Sequence, residues 1–78
     1  MKHYIVVTDT NSRQYVFEIL NDGLNIQIND DIYLITKEDP GLEIFFEIFK
    51  QKECFLISGK SLFNTNHLVG VEFRCLEE

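Results

Sequence analysis

The chain is 78 residues long with 45% hydrophobic and 26% charged side chains, room for one small domain and too rich in apolar residues for a disordered segment. Thirteen acids against seven bases give a formal net charge of −6, which disfavours direct binding to the phosphate backbone of DNA or RNA. Lys50, Lys52 and Lys60 are the nearest approach to a basic patch, and Glu47 and Glu53 sit among them.

The first stretch, H-Y-I-V-V-T at 3–8, is rich in β-branched and aromatic residues and reads as a strand. Its apolar run is too short for a signal peptide, and no run reaches the roughly 20 residues of a membrane span, so a cytoplasmic protein with reduced cysteines is expected. D-T-N-S-R is a turn, and Q-Y-V-F-E-I-L at 14–20 a second strand with Tyr15, Phe17 and Ile19 on one face. N-D-G at 21–23 is the strongest hairpin signal of the chain, because Asp-Gly adopts positive φ at little cost. In L-N-I-Q-I-N, Leu24, Ile26 and Ile28 alternate with Asn25 and Gln27, and after Asp30 and Asp31 the run I-Y-L-I-T at 32–36 makes a fourth strand. Four short strands in succession predict an antiparallel meander.

Asp39 is placed to cap a helix and Pro40 to open it. Leu42, Ile44, Phe45, Phe46, Ile48 and Phe49 then fall in one arc of a helical wheel and Glu43, Glu47, Lys50 and Gln51 in the other, so a helix is expected around residues 40–52. The apolar arc spans roughly 200°, wider than the stripe of about 100° that one core contact needs. Leu42, Phe45, Phe46 and Phe49 suffice to cover a sheet, which leaves Ile44 and Ile48, beside Glu43 and Glu47, as surface for a partner. C-F-L-I-S, S-L-F and H-L-V-G-V-E-F-R-C-L complete the strands, with Gly70 marking a bulge, Cys54 and Cys75 expected as small core residues, and Glu77–Glu78 as a frayed tail.

The fold class is therefore α+β: a small curved antiparallel sheet of six or seven short strands with one helix across it. One helix covers one face only. Val16, Leu20, Tyr33 and Ile35 make the far face too apolar to stay wet, which calls for closure toward a partial barrel or for a second subunit.

No stretch names a reaction. S-G-K-S at 58–61 lacks the earlier glycine of a phosphate loop and leads into a strand, so it is a hairpin turn. His3, His67, Cys54 and Cys75 show no metal-ligand spacing, and no metal or cofactor is expected. N-T-N-H at 64–67 makes a turn by side-chain bonds to its own backbone.

The leading expectation is a non-enzymatic protein-binding module. A small acidic inhibitor or regulator of the phage or mobile-element type fits the size and charge, and the wealth of Ile, Asn, Phe and Lys with no Ala fits an AT-rich, low-GC Gram-positive coding background. Its contact residues would be Glu43, Ile44, Glu47 and Ile48. The partner would be another protein, basic or itself nucleic-acid-binding. One alternative is a homo-oligomer holding a small polar ligand at its interfaces through Asn64, Asn66 and His67. The other is an enzyme using Cys54, Cys75 or His67.

Overall fold

The computed structural model describes residues 1–77. Seven strands and one helix succeed one another as β1 (Lys2–Asp9), β2 (Gln14–Glu18), β3 (Leu24–Ile28), β4 (Asp31–Ile35), α1 (Leu42–Gln51), β5 (Cys54–Ile57), β6 (Ser61–Asn64) and β7 (Leu68–Leu76), with a 3₁₀ turn at Thr65–His67. The class is α+β, as the patterning implies. The strands divide into two antiparallel sheets, of order β2-β1-β7 and β4-β3-β5-β6, and neither closes into a barrel among the described residues.

The meander is thus interrupted in its middle. The Asn21–Asp22–Gly23 turn is real, with Gly23 at φ 90° and an isolated bridge from Leu20 to Gly23, but it carries the chain from one sheet to the other instead of joining a hairpin. A continuous meander would set Tyr15, Phe17 and Ile19 beside Leu24, Ile26 and Ile28 on one broad apolar face that a ten-residue helix is too small to cover. Folding the chain at Gly23 turns the two apolar faces onto each other, so each buries the other.

Strand β1 is buried in both phases, at Ile5, Val6 and Val7, which is why it takes the middle of its sheet. It pairs with β7 from Lys2↔Leu76 to Asp9↔Leu68, and the register slips by one residue at Thr8↔Gly70, leaving Val69 as the extra residue of a bulge beside Gly70. The core lies between the sheets. Ile5, Val7 and Ile19 meet Leu24, Ile26, Ile35 and Ile57, and Phe45 and Ile48 of α1 close the space. A run of ring contacts crosses it: Tyr15 and Phe17 stand edge-on to Phe63, Phe63 stacks on Phe55, and Phe55 meets Phe45.

Two expectations about the helix are corrected. Its N-cap is Gly41 in the left-handed region at φ 67°, with no side-chain cap; Asp39 instead accepts a hydrogen bond from the Gly41 N–H in the preceding turn. The residues left out of the core are Leu42 and Phe46, 51% and 68% exposed, whereas Ile48 is 1% exposed and Ile44 half-buried. The helix is rotated so that Phe45 and Ile48 point inward.

Of the residues expected on an apolar far face, Ile35 is fully in the core, while Val16 and Leu20 are exposed. The cysteines are exposed free thiols, not core residues. Cys54 is in the outward phase of β5, whose inward positions are taken by Phe55 and Ile57, and Cys75 lies past Phe73, the last β7 residue packed on the core. Of the expected tail, Glu77 is exposed and Glu78 lies outside the described residues.

Candidate partner-binding groove

Helix α1 presents Glu43, Ile44, Glu47, Ile48 and Gln51 along one flank, because residues three and four apart share a helix face. The β3–β4 hairpin stands opposite. Its two-residue turn, with Asn29 at φ 55°, sets Ile28 beside Asp31 and Ile26 beside Tyr33. Between helix and hairpin runs a groove of about 360 Å³. Half-buried Ile44 supplies its accessible apolar surface and Tyr33 one wall, with the buried Ile28 and Ile48 beneath them. Asp31, Glu43, Glu47 and Glu53 bring four carboxylates to it, and no Lys, Arg or His lines it.

The four residues singled out from the sequence as a contact surface, Glu43, Ile44, Glu47 and Ile48, are therefore brought together as one side of a single groove. Ile48 contributes floor and not a protruding side chain. The opposite wall, with Tyr33, Asp31 and Ile28, is visible only in three dimensions, since nothing local in the sequence joins residues 28–33 to the helix. Among the described residues, no hydrogen-bond donor or ion-pair partner is directed at the Asp31, Glu43, Glu47 or Glu53 carboxylates. Their charges add in a partly apolar recess, where field lines are less screened than on a convex surface. The exposed Leu42 and Phe46 continue the groove's outer rim on the helix and flank Glu43 and Glu47.

The residues of the alternative ligand site are only partly assembled. Asn64 and His67 line a polar cleft of about 420 Å³ with Asp9, Asn11 and Tyr15, but Asn66 does not. Two of the cleft's acceptors, the Asp9 carboxylate and the Asn64 amide oxygen, are engaged in local hydrogen bonds. Asn64 accepts from the Asn66 N–H at 3.0 Å, which holds the 3₁₀ turn. Asp9 accepts from the backbone N–H groups of Asn11 and Arg13 at 2.9 Å each, and from the Tyr15 hydroxyl at 3.2 Å. The hydrogen bond from the Arg13 backbone, with those from Asn11 and Tyr15 and the nearby Arg13 charge, holds the Asp9 carboxyl below its ordinary value against a smaller desolvation effect.

Cys54 stands opposite Asn64 in the β5–β6 register but does not line the cleft of His67. Cys75 stands opposite His3 near the other end of β7, where the His3 ring packs on Phe73 at 5.6 Å. Among the described residues, no three His, Cys, Asp or Glu side chains are grouped to hold a metal ion. The S-G-K-S segment is a β5–β6 hairpin turn with Ser58 and Gly59 both at positive φ, the type I′ geometry, and Lys60 N–H donating to Ile57 O at 3.2 Å. No described helix is long and apolar enough to cross a membrane.

No protein-family model matches this sequence, and no curated protein or solved structure matches it significantly.

Proposed function

We propose that the chain acts by binding and not by catalysis, taking a basic, amphipathic segment of another protein into the groove between α1 and β3–β4. The observation that carries this reading is the groove's composition: four acidic residues without a cation, set around the accessible Ile44 and Tyr33. A segment with one aliphatic or aromatic anchor flanked by Lys or Arg satisfies both parts. The anchor removes apolar surface from water at about 25 cal/mol per Å², and the cations steer the encounter and fix its orientation. Leu42 and Phe46 extend the contact beyond the groove. Such a partner needs no cofactor, and the basic segments of nucleic-acid-binding proteins are one source of it. Occupying the segment blocks its own work, which is how a small acidic regulator of phage or mobile-element type would act on a host protein.

The test is selection of binders from a random peptide library displayed against the intact chain, repeated with Glu43→Lys/Glu47→Lys. Enriched peptides carrying several cations around one large apolar residue, and lost on the double reversal, support the reading. Enrichment indifferent to cations, or unchanged by the reversal, sinks it.

A further inference from the structure

The groove is bordered by an open sheet edge. β4 is the outermost strand of its sheet and pairs on one side only, with β3. Successive residues of such a strand turn their backbone groups to opposite sides. Asn25 O accepts from the Ser58 N–H at 2.9 Å, so the backbone of Asn25 is turned to β5 and away from Leu34, its partner on β4. Leu34 and, two residues earlier, Ile32 therefore direct their N–H and C=O groups off the edge. Among the described residues, no turn, loop or side-chain hydrogen bond reaches them. The next N–H on that side, of Thr36, is taken by Asp39 O. Ile32, Tyr33 and Leu34 are 66%, 38% and 56% exposed. The strand, D-I-Y-L-I, has none of the Lys, Pro or bulge that close an edge against pairing.

Resting on the groove reading above, we infer that the basic segment binds in extended form, as a fifth strand added to β4. The helix runs beside β4 along its whole length: Gly41 lies against Ile35 at one end, and Gln51 and Glu53 line the groove with Ile28 and Asn29 at the other. Asp31 and Tyr33 turn to the groove, and the alternate residues Ile32 and Leu34 to the opposite side of the sheet. Every second side chain of an added strand then enters the groove. Such side chains stand about 6.8 Å apart, against about 6 Å along the axis between Glu43 and Glu47, one helical turn apart. Lys or Arg two residues apart therefore reach both carboxylates, and an apolar residue in the same phase meets Ile44 and Tyr33. The intervening side chains fall beside Ile32 and Leu34 and are apolar. Charge selects this occupant. Any extended chain satisfies the edge, but a second copy would set its own Asp31 and acidic helix flank against those of the first, and an uncharged strand would leave the groove's carboxylates unmatched. A partner bound as a helix would leave the Ile32 and Leu34 backbone unpaired.

The probe is a capped peptide alternating Lys with Val, its middle Lys replaced by Leu, added to the isotope-labelled full chain while amide hydrogen exchange is followed by NMR. The Ile32 and Leu34 amides, open to solvent in the free chain, should exchange at least about tenfold more slowly with the peptide bound. Replacing the peptide's Lys by Thr should weaken binding at least about tenfold, and Glu43→Lys/Glu47→Lys should abolish it. A peptide that binds through the two glutamates and leaves both amides fast overturns strand addition while the groove reading stands. Binding indifferent to the double reversal overturns both. No binding at millimolar peptide overturns the added strand, and the library selection then decides the groove by itself. Equal binding of the Thr version removes the basic partner and overturns the inference as well. Ile32 and Leu34 amides that are already slow in the free chain, and slower still at higher protein concentration, put a second copy on the edge and likewise overturn it.

Discussion

Phe45 meets Phe55 edge to face, with ring centroids 5.7 Å apart and planes at 74°. Through this pair the helix joins the ring contacts that cross the core, while the next residue, Phe46, stays on the surface.

Neighbouring Phe→Ala substitutions in α1 should therefore behave oppositely. Phe45→Ala removes a ring with 3% exposure and opens a cavity, at a cost of roughly 3–5 kcal/mol. Phe46→Ala should change stability by less than about 0.5 kcal/mol. Urea unfolding midpoints of the two variants check both numbers.

Gly23 is fixed for two separable reasons. Its φ of 90° is one that side-chain-bearing residues rarely adopt, and a Cβ there would lie 2.6 Å from Leu34 Cδ1 and 2.8 Å from Ile35 O. Gly23→Ala should destabilise by roughly 1–3 kcal/mol. Leu34→Ala in the same chain should not restore stability, because the Ile35 carbonyl stays in place; thermal melts of the single and double variants decide this.

Asp9 ties its own turn, and its carboxyl is held below its ordinary value chiefly by the Arg13 backbone N–H. A lowered folded-state value means the stabilisation is fully present above the unfolded carboxylate value of about 3.9, and is lost as pH falls through the folded value. Asp9→Asn keeps an acceptor for the two N–H groups but has no charge to lose. The stability gap between wild type and Asp9→Asn should thus shrink as pH falls below about 4, read from denaturant midpoints across that range.

The groove should announce itself through salt. Affinity for a peptide selected on the wild-type chain should fall with ionic strength, as expected for charges screened over about 10 Å at 0.1 M. Glu43→Lys/Glu47→Lys should abolish binding while costing the fold no more than about 1 kcal/mol, mostly the loss of a favourable acid in the first helical turn. Titrations by fluorescence anisotropy at low and high salt measure the first, and melting curves the second.

Alternation made most elements legible. Leu24, Ile26 and Ile28 point inward as their spacing says, and the Phe-rich stretch is a helix. Partnership was not legible. The Asp22–Gly23 turn is a local signal, while the destination of β3 is set by β5, far along the chain. The helical wheel found the apolar arc but not which part of it faces inward. Ile48 won over Phe46 because the sheets meet α1 on both flanks, with Tyr33 and Ile28 on one side and Val69 and Val71 on the other. The cysteines were misplaced for a similar reason. Cys54 begins a strand whose phase is fixed by Phe55 and Ile57, and a small apolar residue gives no sign of its own. One wall of the groove could be read in the helix, and the other could not until the hairpin was placed against it.

The pairing of the first strand with the last has a consequence for how the molecule comes into being. Lys2 and Leu76 are neighbours, so the sheet holding Ile5 and Val7 stays incomplete until nearly all of the chain is available. Contacts this far apart in sequence carry a loop-closure cost before any reward and slow folding. On the ribosome, β1 must wait through the synthesis of every other element with an unpaired edge and a bare apolar face. The sheet can close only once β7 has been made and is free to pair, and a chain cut short before β7 leaves an open template for aggregation.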